Sequence, residues 1–173
     1  RDTSAITADI LAARVDVVML QEVSDHNRDI LKQLRARFPY QHHCRFSGWS
    51  GIAVLSRTRI YGSPRCSAHR ALAAAKIKIN DHPIWAVAAH IPWPWPHDSQ
   101  ANEIAANRLL AGLDAPVIMA GDFNITPWST RMERLLRASG SILAGPSRAT
   151  FWVRWLPLPI DHAMSPGGGT LER

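Results

Sequence analysis

Four apolar runs in this sequence stop on side chains able to hold a metal ion or touch a phosphate. "VVMLQE" ends on Glu22, "WAVAAH" on His90 and "VIMAGDFN" on Asp122 and Asn124, while "PIDH" carries Asp161 and His162. Taken singly, each has an ordinary explanation. A carboxylate after a strand is commonly a turn former or helix cap, and a lone His a solvated or core residue. Taken together they share a chemistry. Glu22 is an oxygen donor suited to a hard cation such as Mg²⁺, which keeps several waters and takes only one or two carboxylates. Asp122 and Asn124 stand two residues apart, so on extended backbone they share a face. One orients a water nucleophile; the other, a neutral amide, donates to a phosphate oxygen. His90 offers a proton or hydrogen bond to the same phosphate. A Lewis acid, a held water and donors for developing charge are the requirements of metal-assisted phosphoester hydrolysis.

These groups meet only if the elements carrying them converge on one rim. Residues 3–13 read as a helix with Ile6, Ile10 and Ala13 inward, and 15–20 as a short buried strand. Residues 28–38 place Ile30, Leu34 and Phe38, with Leu31, on one helical stripe. Strands follow at 51–56, 74–79 and 83–90, the last two joined by a turn at 80–83. The stretch 99–113 is a capped helix with Ile104 and Leu109 inward, and 116–121 a second buried strand. Thr126 then caps a helix with Pro127 first, Trp128, Met132, Leu135 and Leu136 inside, and Gly140 at its stop. Residues 150–155 and 159–164 are the last strands. Irregular alternation with hairpin-like pairs predicts a layered α/β sandwich rather than a doubly wound parallel sheet. With no repeat and no linker, residues 1–164 read as one domain and 165–173 as a flexible tail.

The 173 residues carry a formal net charge of +6 and a pI near 10.1. That balance favours polyanionic partners: nucleic acid, phosphorylated small molecules or an anionic membrane surface. Its alternative is a basic surface that only keeps the protein soluble. No apolar run reaches the roughly 18 residues of a membrane span. Cys44 and Cys66 lack metal-type spacing and either pair or stay as buried thiols. Arg65, His69 and Arg70 read as a solvated basic loop or the edge of a phosphate groove. "HIPWPWPHD" (90–98) is an aromatic wall for a base or a lipid, or a stiff loop over the core. His42, His43 and His97 show no zinc spacing and read as surface residues.

The segments "MLQEV" (19–23), "GIAVLSR" (51–57), "HIPWP" (90–94), "GDFNITPWS" (121–129), "TFW" (150–152) and "PIDH" (159–162) together resemble the endonuclease/exonuclease/phosphatase superfamily. The blocks occur in that superfamily's order from near residue 10 to 164. The resemblance implies a DNase I-like sandwich of two central mixed sheets flanked by helices, acting as an Mg²⁺-dependent phosphoesterase with Mn²⁺ as a substitute. It implies Glu22 as metal ligand, Asp122 at the metal and the attacking water, and Asn124 on the scissile phosphate. His90 takes the phosphate-side histidine position, and Asp161 the carboxylate that buttresses a catalytic His whose segment is missing, the alternative being that Asp161 and His162 are themselves the closing catalytic pair. Two landmarks are missing: an N-terminal strand bearing an Asn, and a closing Ser-Asp-His segment. Losing both implies a truncated form with an exposed sheet edge that pairs two copies.

Two other classes compete with a nuclease-like phosphoesterase. One is a catalytically impaired binding or assembly module; the other is a phospholipid or phosphoinositide hydrolase working on a membrane head group. A glycosidase using Glu22 and Asp122 as its acid pair leaves Asn124, His90 and the basic charge without a role.

Overall fold

The computed structural model describes residues 3–94 and 99–167. Along the chain run α1 (Ser4–Ala12), β1 (Val17–Leu20), α2 (Asp29–Gln33), β2 (Tyr40–Arg45) and β3 (Gly51–Ser56). There follow β4 (Tyr61–Cys66), β5 (Leu72–Ile79), β6 (His82–His90), α3 (Gln100–Ala111) and β7 (Val117–Asp122). The described chain closes with α4 (Thr130–Ser139), β8 (Ile142–Leu143), β9 (Phe151–Val153), β10 (Leu156–Leu158) and β11 (Asp161–Ser165).

Two sheets dominate. The smaller is antiparallel in the order β1-β3-β2, and the larger is mixed in the order β4-β5-β6-β7-β11-β8, with β6 and β7 parallel. Because successive strand residues face opposite ways, β5 and β6 serve two cores at once. Leu72, Ala74, Val87 and Ala89 pack with Met119 and Phe123 against Leu110 of α3 and Met132 and Leu135 of α4. Ala73, Ala75, Ile77, Ala86 and Ala88 face Cys44, Ile52 and Val54 of the smaller sheet. That sheet's outer face, Val18, Ala53 and Leu55, packs on Ile30, Leu34 and Phe38. The molecule is the layered sandwich the sequence predicts, helices outside and two sheets face to face, except that only the larger sheet is mixed and the smaller is antiparallel throughout its described strands. β1 pairs with β3 alone among the described residues, so its other edge carries no strand. A Cys44–Cys66 disulfide joins β2 to β4 and thereby staples one sheet to the other.

Several local expectations are corrected by polar contacts that periodicity does not see. α1 turns Thr3 and Thr7 inward, where both hydroxyls reach Gln33 Oε1, and this rolls Ile6 out to 54% exposure. α2 is cut to one short helix. The chain runs on through turns to Phe38, whose following proline disfavours helical backbone, yet Ile30, Leu34 and Phe38 are buried as expected. In α3 the buried Glu103 pairs with Arg131 and Arg134 of α4 at 3.3 and 2.7 Å, which leaves Ile104 facing outward. The cap of α4 is Ser129, not Thr126: its hydroxyl accepts the Met132 N–H at 3.2 Å. Trp128 therefore precedes the helix and is exposed.

β2, β4 and β8 are strands the sequence pattern does not announce. β4, "YGSPRC", holds Gly and Pro at a sheet edge, where a missing N–H is tolerated. The single strand expected at 150–155 is instead half of the β9–β10 hairpin, turning at Arg154 with φ 55°. Asn80 and Asp81 make the predicted turn between β5 and β6, both at positive φ. His42 and His43 are half-buried rather than on the surface, the His42 ring lying 3.1 Å from the Arg65 carbonyl. The predicted tail begins inside β11, since Ser165 pairs with Ile142; residues 168–173 and His97 lie outside the described residues.

Candidate active site

Strand register assembles the site. On one side of Asp122, parallel β6 places His90 opposite it; on the other, antiparallel β11 places Asp161 opposite it. Directly paired residues share a face, so His90, Asp122 and Asp161 form one row across three neighbouring strands. The row lies on the face turned toward the smaller sheet, at the end of the β6 run Ala86–Ala88 that packs there. Glu22 comes from that smaller sheet, just beyond the end of β1. Glu22 is exposed and lines a separate cavity with Ser24, His26, Asn27 and Trp49, near enough for its charge, after that of Asp161, to act on Asp122.

Burial, reinforced by those two neighbouring charges, pushes the Asp122 carboxyl above its ordinary range. The Asn124 N–H and His90 oppose the shift. Asp122 Oδ1 accepts that N–H at 2.9 Å, a tight turn that ends the strand and folds Asn124 back beneath it. Asn124 is buried; its Nδ2 donates to the Ile91 carbonyl at 2.9 Å, while its Oδ1 has no partner. Phe123 between them is fully buried and donates its N–H to the Ile160 carbonyl, locking the loop to β11.

Glu22 and Asn124 both adopt left-handed backbone, with φ 56° and 51°. Non-glycine residues rarely do so, and the strain persists only where surrounding bonds hold it. For Glu22 those bonds are Asn27 Nδ2 to its carbonyl at 3.0 Å and the Val23 N–H to the Gly51 carbonyl at 2.9 Å. Gly121 is required by close approach: a Cβ there would strike the Ala89 carbonyl and sit 2.9 Å from Gln21 Nε2. β6, β7 and the residue preceding Glu22 thus come together at one glycine.

His90 and Asn124 open onto a cavity of about 230 Å³ lined also by Ser50, Arg70, Pro92 and Trp93. Arg70 and Trp93 are the additions that sequence reasoning left undecided. Arg70 brings the positive charge of its loop to the cavity, and Asn102 of α3 holds the Arg70 carbonyl at 2.6 Å. Trp93 leans on Phe151 of the β9 hairpin with ring centroids 5.3 Å apart. Ser50 had no signal in the sequence; its place follows from the β2–β3 connection. Arg65 and His69, grouped with Arg70 in sequence, line a different cleft.

His162 does not join the row. Adjacent to Asp161 it points to the opposite face, buried against Phe123, with its Nε2 2.9 Å from the Ile125 carbonyl. Burial holds its pKa below the ordinary value, consistent with a neutral ring that braces the 123–125 loop.

The donor set fits a hard divalent cation. Asp122, Asp161 and Glu22 crowd negative charge with no basic partner paired to any of them among the described residues, and Asn124 keeps an unpartnered buried oxygen. A donor set dominated by carboxylate and amide oxygens suits Mg²⁺ or Mn²⁺ rather than Zn²⁺.

Three solved structures share this architecture. A humanised TDP2 of D. rerio carrying 14 mutations superposes with a TM-score of 0.72 at 16% identity, over 94% of this chain and 74% of that one. An endonuclease/exonuclease/phosphatase from Beutenbergia cavernae gives 0.70 at 18% identity, over 95% of this chain. This chain spans only 58% of that protein's length. Beta toxin from Staphylococcus aureus, as an F277A, P278A mutant with bound magnesium ions, gives 0.68 at 14% identity over 97% and 77% of the two chains. At such identities the likeness speaks for the fold. No curated protein matches the sequence. The profile of the endonuclease/exonuclease/phosphatase family matches residues 1–173, the whole chain, and the chain belongs to that family.

Proposed function

We propose that this chain hydrolyses phosphate esters with a divalent cation, Mg²⁺ or Mn²⁺, and that its substrate is a nucleic-acid phosphodiester. The observation that carries the reading is the row His90–Asp122–Asp161 beside a cavity with Arg70 at its edge, with the charge of Glu22 acting on Asp122. Glu22 and Asp122 would hold the cation, which supplies Lewis acidity at a phosphoryl oxygen when bound. Asp122, with one oxygen fixed by the Asn124 N–H, orients the attacking water with the other. The second hydrogen of Asn124 Nδ2, not used by Ile91, donates to the phosphate. His90 and Arg70 meet the charge that develops on the phosphoryl oxygens, and Asp161 holds the row's register and polarity. The net charge of +6 suits a polyanionic substrate.

The test is hydrolysis of an aryl phosphodiester and of plasmid DNA, with Mg²⁺, Mn²⁺ or chelator, by the wild type and by Glu22→Ala and Asp122→Ala. Metal-dependent turnover that falls by about 10²-fold or more in each variant is expected. A folded, metal-binding protein without turnover on either substrate would reject the reading.

One observation favours a second reading, a phospholipid head group as substrate. The β9–β10 hairpin exposes Phe151, Trp152, Val153, Trp155 and Leu156, with Trp152 and Trp155 at 62% and 81%. This patch touches Trp93 at the cavity through Phe151. Indole rings with an arginine between them suit a membrane–water interface.

A further inference from the structure

The cavity at His90 has a larger neighbour on the other side of the loop that follows β4. This cleft, about 600 Å³, lies between that loop and α3, within the roughly 300–1,000 Å³ range of small-molecule sites. Consecutive residues of the loop divide the two spaces: His69 lines the cleft and Arg70 lines the cavity at His90.

Its floor is apolar. Ala105 and Leu109 of α3 form one wall and Ala68 the other, and Ile104 stands in the opening with 51% of its surface exposed. The exposure follows from α3's packing. Glu103, Ala106 and Leu110 occupy the inward face, and the pair of arginines on α4 fixes that rotation through Glu103. Three basic side chains edge the same cleft, Arg65, His69 and Arg108, and no carboxylate lines it. Arg65 is held in place, its guanidinium 5.2 Å from the Trp85 ring centre and its Nη1 donating to the Gly112 carbonyl at 2.8 Å. Arg108 and His69 form no ion pair among the described residues.

An apolar slot with an uncompensated cationic edge is complementary to one kind of small molecule: an alkyl chain ending in an anion. We propose that this cleft binds a single-chain amphiphile with a carboxylate or phosphate head, its chain along Ile104, Ala105 and Leu109 and its head between Arg108 and Arg65. The site is separate from the phosphoesterase centre and does not depend on the function assigned to that centre.

The test is calorimetric titration of the whole chain in chelator, with decyl phosphate, decanoate and decyltrimethylammonium below their micelle concentrations. One-site binding of the two anions and none of the cation is expected, tightening about fourfold per added methylene. A preference for phosphate assigns the natural ligand to lysophospholipid-like heads, and equal affinity assigns it to free fatty acids. Arg108→Glu and Ile104→Asp, both at exposed positions, should each weaken binding at least tenfold, while Glu22→Ala leaves it unchanged. Arg108→Gln checks the same point without reversing the charge. Equal binding of the cationic amphiphile, absence of binding, or indifference to both cleft substitutions would overturn the proposal. Loss of binding in Glu22→Ala would also overturn it, by moving the ligand to the phosphoesterase centre.

Discussion

A half-buried carboxylate with two carboxylates for neighbours is costly unless a cation joins it. Asp122 is such a group: burial, then Asp161 and Glu22, raise its pKa, and His90 only partly offsets them. A folded-state pKa above the unfolded value means that the native protein binds more protons between the two. Ionised Asp122 therefore costs stability above its folded pKa, and the cost is relieved as pH falls toward the unfolded carboxylate range. Asp122→Asn keeps the acceptor for the Asn124 N–H and removes the charge. In chelator at neutral pH it should be more stable than the wild type by about 1 kcal/mol, with the gap closing as the pH is lowered toward about 4. Thermal melts over that pH range check this, and equal melting at every pH would show that Asp122 is not under electrostatic load. Added Mg²⁺ should raise the melting temperature of the wild type and not that of the variant.

At the scale of elements, the site depends on how β6, β7 and β11 are registered. A one-residue slip of β7 would turn Asp122 away from His90 and Asp161 together. Gly121 guards that register, since any side chain there would strike the Ala89 carbonyl and crowd Gln21. Gly121→Ala should destabilise the fold by about 1–3 kcal/mol, the usual cost of overpacking, and lower turnover even where the protein stays folded. Denaturant unfolding and steady-state rates on the same sample measure the two effects. A variant with wild-type stability and rate would mean that β6 and β7 have room to separate. The Phe123–His162 contact beneath the row explains why a buried histidine follows Asp161: it supports the loop bearing Asn124 from the opposite face.

For the whole molecule, the question is which polyanion reaches the site. A net charge of +6 attracts nucleic acid and anionic membranes alike, so charge does not separate them. The exposed hairpin does. If the substrate is a lipid head group, Trp152→Ala with Trp155→Ala should cut binding to anionic phospholipid vesicles at least tenfold while sparing hydrolysis of a soluble aryl phosphodiester. Vesicle co-sedimentation beside that soluble assay reads both quantities. Vesicle binding that survives the double substitution removes the hairpin as an argument for lipid, and a steep fall of DNA binding with added salt then supports the nucleic-acid reading. The Cys44–Cys66 bridge and the shared β5–β6 faces hold the two sheets together, so the loop after β1 that carries Glu22 keeps its place relative to the row on the larger sheet.

Most of the elements that deliver the candidate groups were legible in the sequence. Apolar runs ending in Glu22, His90 and Asp122 mark strand ends, because a run buried on both faces has to stop where polar groups reach a rim, whereas Asp161 opens β11 instead of closing a strand. Local chemistry likewise announced the Asn80–Asp81 turn and the Gly140 stop, each set by the backbone of a few neighbouring residues. Contacts between distant segments settled the rest. Glu103 with Arg131 and Arg134 set the rotation of α3, Gln33 set that of α1, and strand register divided Asp161 from His162 between opposite faces. Pairing of Cys44 with Cys66, and of Arg70 rather than Arg65 with the cavity at His90, depends on positions that close only when the two sheets stack. Periodicity reports which face of an element is apolar; the partner packed against that face decides which polar residues are buried with it.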